Sequence, residues 1–367
     1  MMKKVLKRLL SGAVVGVMAL SLVACGGSGD DSKPADDTAQ EDQEEPEAPT
    51  DDTEKDVADD VEDEVGDDAK EGGYTIGYSP YTLKNEYFTA VLNGVQTACD
   101  ELGCELIYFD PQNDPTKQAS QIDDMIASGI DALIYLPYDA GGARTVLQTC
   151  RDAGVKVINI DTVVTEADYD LVDGILASDN LQLGELAGQW VAENHPDGAN
   201  ILICHLQVAE SCVINVEGFW KGIKDNVENP DAFKEVQVVE GGGDTEVTFS
   251  AVADVLQAHD DINVIYCIND TSALGAVQAV EDAGLTGKID IIGKDGAPIG
   301  KQAIKDGKMV QSSAQRPTYM GYMGVMEAVD VLNGKEIEFN VSIPCYSITK
   351  DNIDDFDLTA WDSLDEE

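Results

Sequence analysis

From Tyr74 to Gly293 the chain alternates short runs of β-branched and aromatic residues with longer windows of helical period, and no other feature narrows its fold so far. YTIGYS (74–79), CELIYF (104–109), DALIYL (131–136) and VKVINI (155–160) read as strands, with helical windows near 86–101, 115–128 and 141–152 between them. Asp114 followed by Pro115 supplies a cap and a first turn. After LVDGILASDN (171–180) the rhythm resumes, with helices at 181–194, 214–228, 247–258 and 272–283. The strands of this second series are ANILICHL (199–206), KEVQVVE (234–240), INVIYCI (262–268) and KIDIIG (288–293). Strands separated by helices need crossover connections, which predicts mostly parallel sheets covered by helices on both faces. Two comparable series, in a body at the limit of what one core supports, predict two Rossmann-like three-layer α/β lobes. A helix at 317–333 and a strand VSIPCYSIT (341–349) finish the body before an acidic tail over 351–367.

Charge excludes whole classes of partner. Asp and Glu number 71 against 23 Lys and Arg, a net charge of −48, so the chain repels nucleic acid and anionic surfaces. Only three histidines are present, which argues against a histidine-ligated metal or a proton shuttle; no metal and no cofactor is expected. GGGDT (241–245) lacks the Lys-Ser or Lys-Thr of a phosphate loop, and no G-x-S-x-G elbow occurs, so no catalytic residue is expected and the chain reads as no enzyme.

The first 25 residues join a cationic end (Lys3, Lys4, Lys7, Arg8) to an apolar stretch from Leu9 to Leu22, the architecture of a secretion signal. Leu22-Val23-Ala24-Cys25 resembles the bacterial lipoprotein signal, which implies lipidation of Cys25 and an extracytoplasmic protein anchored to the cell membrane. Residues 26–73 carry 21 acidic and 3 basic side chains with almost no aromatics, a composition that favours an extended tether. Their spacing matches no EF-hand loop. Seven further cysteines follow Cys25; Cys204 with Cys212 and Cys99 with Cys104 are candidate neighbours, with connectivity open.

Parallel α/β sheets offer ligands the loops beyond the carboxyl ends of their strands. Asp161 follows VKVINI, Asn269 and Asp270 follow INVIYCI, and Asp295 follows KIDIIG; Asn85, Tyr87 and Phe88 lie just after the first strand. Taken singly, Asp and Asn there cap helices and begin turns. Their recurrence on the same side of successive strands points to a ligand site, and carboxylates, amides and aromatic faces together suit a neutral sugar.

KNEYF (84–88), DPQNDPTKQ (110–118), ASDN (177–180), IND with ALGA (268–276), IIGKDG (291–296) and AQRP (314–317) together resemble the periplasmic binding proteins of the ribose and galactose type, over roughly residues 74 to 350. The resemblance implies the type I two-lobe fold with a three-segment hinge near Ser178–Asp179, Gln315–Arg316 and Ile343–Pro344. One lobe then combines 74–178 with 316–343 and the other 179–315 with 344–350. It also implies polar ligand contacts from Asn85, Asp161, Asn269, Asp295 and Gln315, with Tyr87 and Phe88 as the stacking pair. The departures are Thr162 and Asn215 where ribose binders carry arginines, and Gly243 near the place of a second-lobe ring. Tyr78, Tyr81, Tyr138 and Asp139 are candidate replacements, and His205 ends a strand on the cleft side. The expected function is a monomeric solute-binding lipoprotein that captures a small sugar for the permease of an ABC-type importer. The alternatives are a sugar sensor for a membrane chemoreceptor or kinase, and a secreted glycoside hydrolase.

Overall fold

The computed structural model describes residues 73–362 and Leu364; the leader, Cys25 and the acidic stretch as far as Gly72 lie outside them. The first series comprises β1 (Thr75–Ser79), α1 (Glu86–Leu102), β2 (Glu105–Tyr108), α2 (Pro115–Ala127), β3 (Ala132–Tyr135), α3 (Arg144–Asp152), β4 (Lys156–Ile160) and β5 (Gly174–Ser178). The second runs α4 (Asn180–Asn194), β6 (Asn200–His205), α5 (Glu210–Asn226), β7 (Lys234–Glu240), α6 (Thr245–Ala258), β8 (Val264–Cys267), α7 (Asp270–Asp282), β9 (Asp290–Asp295), α8 (Pro298–Lys305) and β10 (Gln311–Ala314). Then come α9 (Pro317–Leu332), β11 (Asn340–Ile343) and β12 (Tyr346–Thr349).

Two six-stranded sheets result. The first has the order β11-β5-β4-β3-β1-β2 and is parallel throughout; the second has the order β12-β10-β9-β8-β6-β7, with β12 antiparallel to β10. Both faces of each sheet are covered. In the first lobe Val91, Val95 and Met320 from α1 and α9 pack with Ile134, Ile158 and Ile160, while Ile122, Leu147 and Cys150 pack with Leu133 and Val157 on the opposite face. Burial on both faces is why KVINI and VIYC are nearly continuous apolar runs rather than alternating ones. Helices α4 and α5 approach through glycines: a Cβ on Gly184 would lie 1.9 Å from the Asn215 carbonyl oxygen.

The chain passes between sheets after Ser178, after Ala314 and between Ile343 and Tyr346. VSIPCYSIT is therefore two strands in different sheets, β11 and β12, parted at Pro344, whose ring removes an amide donor. Sequence patterning misses β5, α8 and β10. In β10 the polar run QSSA forms a central strand whose side chains bond within the sheet: Gln311 Nε2 donates to Ser313 Oγ and Ser347 Oγ, both at 3.0 Å.

The acidic tail expected from Asp351 is built into the body as far as Asp362. Ile353 is buried in the second lobe, and Phe356 stacks on Tyr346 with ring centroids 5.5 Å apart. All seven described cysteines are thiols, including Cys99, Cys104 and Cys212; Cys204 and Cys267 stand side by side on β6 and β8.

Candidate functional site

Strands β4 and β9 occupy the same third place in their sheets, and each delivers an aspartate at its carboxyl end. Asp161 follows β4 with φ +64°, and Asp295 ends β9 with φ +112°, backbone conformations that non-glycine residues seldom adopt. Buried polar side chains hold both turns. Asn159 donates through Nδ2 to the carbonyls of Tyr135 (3.1 Å) and Thr162 (2.9 Å) and accepts from the Val164 amide (3.0 Å), fixing the loop that carries Asp161. In the second lobe the Asp270 carboxyl accepts from Ser312 Oγ (2.7 Å) and the Ala297 amide (2.8 Å), while Ser312 Oγ accepts from the Gly296 amide (3.0 Å). The turn after Asp295 is thereby pinned.

A seam of side chains joins the lobes. Tyr87 Oη, from the first turn of α1, donates to Asp161 Oδ1 at 2.8 Å and lies 3.3 Å from Gln315 Oε1. Gln315 sits where the chain leaves β10 for α9, and its Nε2 donates to Asp295 Oδ1 at 2.8 Å. Lys294 Nζ stands 3.3 Å from Asp295 Oδ1. Thr162 Oγ1 reaches Asp161 Oδ2 at 3.4 Å. Tyr81, Tyr87 and Phe88 form an edge-to-face cluster, with centroids 4.7 Å apart for Tyr81–Phe88 and 5.4 Å for Tyr87–Phe88.

Electrostatics follow from burial. Asp161 titrates above the usual carboxylate range because it is desolvated; Tyr87, Lys294 and Thr162 oppose that rise and Asp295 adds to it. Asp295 is raised by desolvation too, against the pull of Lys294 and Gln315. Burial alone would depress the Lys294 ammonium, but Asp295, Cys212 and Asp161 hold it up to about 12. The seam thus offers carboxylate acceptors, one ammonium, an amide and a phenol at close range, groups that donate to and accept from vicinal hydroxyls.

Other candidates take different places. Asn85 and Asn269 are N-caps, accepting from the amides of Tyr87 (2.9 Å) and Ser272 (2.8 Å); Asn269 Nδ2 also points at the Gly243 carbonyl at 3.3 Å, across a turn where Gly243 has φ +68°. Asn215 is fully buried between α4 and β8, donating to the Asn180 carbonyl (2.9 Å) and accepting from Tyr266 Oη (2.6 Å), so it is a packing group rather than a substitute for an arginine. Tyr78 lies in the first-lobe core with its hydroxyl on the Phe88 carbonyl at 3.1 Å. Tyr138 is exposed with its ring edge against Tyr81, and Asp139 closes a turn by accepting from the Gly141 amide at 3.0 Å. His205 turns its Nδ1 to the Leu206 amide at 2.7 Å, and burial lowers its pKa although Glu240 and Glu235 oppose this.

Sequence reasoning missed Lys294 and Trp361. Lys294 was visible as a lone cation closing the apolar run of IIGKDG. Trp361, from the supposed tail, lies edge-on to Tyr87 with centroids 5.6 Å apart, and no local pattern could place it there. Among the described residues no cluster of His, Cys, Asp and Glu has the arrangement of a metal site.

Residues 76–336 match the periplasmic binding protein domain, most of the chain. The chain belongs to the periplasmic binding protein family. Within it the ribose and galactose type is the one the relatives share. The ribose import binding protein RbsB of Bacillus subtilis (strain 168) is 31% identical over 274 residues, covering 74% of this chain and 86% of that protein. The fructose import binding protein FruE of Bifidobacterium longum (strain NCC 2705) is 28% identical over 279 residues, covering 74% of this chain and 83% of its own. A periplasmic solute-binding protein of an ABC transporter from Actinobacillus succinogenes 130z, solved with bound D-allose, superposes with a TM-score of 0.72 at 25% identity, covering 77% of this chain and all of the other (100%).

Asp270 yields a pH prediction. Desolvation, reinforced by Asp295, raises its pKa to about 8, against opposing contacts from Ser312, Ala297 and Lys294. Below about pH 4 the group is protonated both folded and unfolded. As pH rises the unfolded chain loses this proton first, so stability falls up to about pH 8, by at most about 1.4 kcal/mol per pH unit. Asp270→Asn mimics the protonated acid. Denaturant unfolding from about pH 5 to 8 should show wild-type stability falling relative to the variant; a difference independent of pH contradicts the assignment.

Proposed function

We propose that this chain is the extracytoplasmic sugar-binding component of an ABC-type importer, held to the cell membrane by lipid on Cys25. One observation carries the reading: Asp161 and Asp295, at equivalent strand ends of the two lobes, face a common seam with Lys294, Gln315 and Tyr87. A ligand gripped from both lobes favours their closed arrangement, and release follows when they part. Catalysis belongs to a separate ATPase, and the chain itself holds and releases its cargo unchanged. The ligands of its relatives, ribose, fructose and allose among them, support a sugar as cargo. The leader ending in LVAC supports the anchor.

Selectivity follows from which cations are present. Thr162 and Asn215 stand where ribose binders are expected to carry arginines, while Lys294 supplies an ammonium from the floor of the second lobe. An ammonium is a compact donor without the planar fork of a guanidinium, so it fixes hydroxyl geometry less strictly. A neutral sugar other than ribose is the preferred cargo.

Calorimetry against ribose, galactose, glucose, xylose, arabinose, fructose and allose tests this. Reversible one-to-one binding is expected, and Asp161→Ala should weaken it by roughly a hundredfold, or about 2 to 3 kcal/mol, by leaving sugar hydroxyls unpaired in a closed site. Turnover of the best-bound sugar would refute the receptor assignment, and submicromolar ribose binding tighter than every other sugar would refute the selectivity argument. For the anchor, intact-mass analysis of the exported protein should show a lipidated Cys25 as its first residue; an unmodified Cys25 in the mature protein contradicts it.

A further inference from the structure

The segment after β12 makes a fourth passage between the lobes, beyond the three at Ser178, Ala314 and Ile343. Its first half belongs to the second lobe. Ile353 is 3% exposed there, Phe356 and Leu358 pack against the same apolar cluster, and Lys305 on α8 pairs with Asp354. Its last residues belong to the first. Trp361 packs on the first-lobe core, and Asp362, 8% exposed, accepts from the Thr318 amide through Oδ1 and the Tyr319 amide through Oδ2, both at 2.9 Å.

Two features make this passage more than a resting place for a chain end. Helix α9 begins with unpaired amides that a local side chain would ordinarily satisfy, yet Arg316 at its N-cap makes no side-chain cap bond. The carboxylate of Asp362 takes that role, favoured by the positive end of the helix. Lys301 of α8, 2% exposed, aims Nζ at the carbonyls of Ala360 (2.6 Å) and Trp361 (3.2 Å). A buried second-lobe cation therefore binds the strap one residue before a buried carboxylate ties it to the first lobe. Between these anchors the Trp361 ring meets Tyr87, whose hydroxyl bonds Asp161 in the ligand seam.

We infer that residues 351–362 are an inter-lobe strap in which Trp361 is a positioning residue, setting Tyr87 for the ligand and biasing the lobes toward closure. This rests on the sugar-binding reading for the ligand and stands apart from it for the lobes. The strap is fixed to both halves, so lobe motion works against the Lys301 and Asp362 contacts, and the Trp361–Tyr87 ring pair joins the strap to the cleft.

Full-length wild type is compared with Trp361→Ala, Trp361→Phe, Asp362→Ala and Tyr87→Phe in two arms. Without sugar, the Thr318 and Tyr319 amides should exchange at least tenfold faster in Asp362→Ala and the scattering radius should rise in Trp361→Ala; unchanged exchange and radius overturn the strap. With the sugar that wild type binds best, Trp361→Ala should weaken affinity about tenfold while Trp361→Phe retains most of it, the loss expected for an edge-to-face ring pair. Trp361→Ala and Tyr87→Phe should be strongly non-additive in a double-mutant cycle. Unchanged affinity, or strict additivity, overturns the positioning role. If wild type binds no sugar, the proposed function fails and the sugar-free arm still decides the strap.

Discussion

The Tyr87 hydroxyl at Asp161 and the ammonium of Lys294 at both carboxylates let two desolvated aspartates point into one narrow seam. Carboxylates removed from water tend to recover a proton, and a second carboxylate nearby strengthens that tendency. Lys294 opposes it at Asp295 directly, 3.3 Å away, and at Asp161 across the lobe boundary. The same aspartates keep the lysine charged although it is buried. The lysine and the aspartates offset one another's desolvation, so the seam ties its two lobes together electrostatically before any cargo is considered.

Around that seam the two lobes solve one problem twice. A strand end in an unusual backbone conformation needs its turn held, and buried side chains do so in each case: Asn159 of β4 behind Asp161, and Asp270 of α7 with Ser312 of β10 behind Asp295. The solutions differ in chemistry. Asn159 is neutral at every pH, whereas Asp270 brings a titratable group into the second-lobe core.

The fold was legible because parallel strands buried on both faces are written in apolar residues over a short span, as KVINI and VIYC are. The two aspartates were legible from position alone, since each follows such a run. Other features depend on partners remote in sequence. QSSA is a strand through its ladders with β9 and β12 and side-chain bonds to Ser347 and Asp270, and Asn215 looked like a cleft residue until Tyr266 and the Asn180 carbonyl claimed its side chain. Lys294 was in plain view, yet its burial beside Asp295 and its reach to Asp161 on the other lobe show only in the fold. The strap was read as part of an acidic tail because residues 351–367 carry eight acidic side chains against six apolar ones, while Ile353, Phe356 and Trp361 pack it onto the two cores.

Small-angle scattering from the body, titrated with the sugar that binds it most tightly, tests most directly whether the seam is where two lobes close on a ligand. A fall in the radius of gyration that saturates with the calorimetric binding curve, and is lost in Asp295→Ala at the same sugar concentration, is the predicted result. A radius that stays constant while the sugar binds with full affinity would contradict closure across the seam and place recognition on a single lobe.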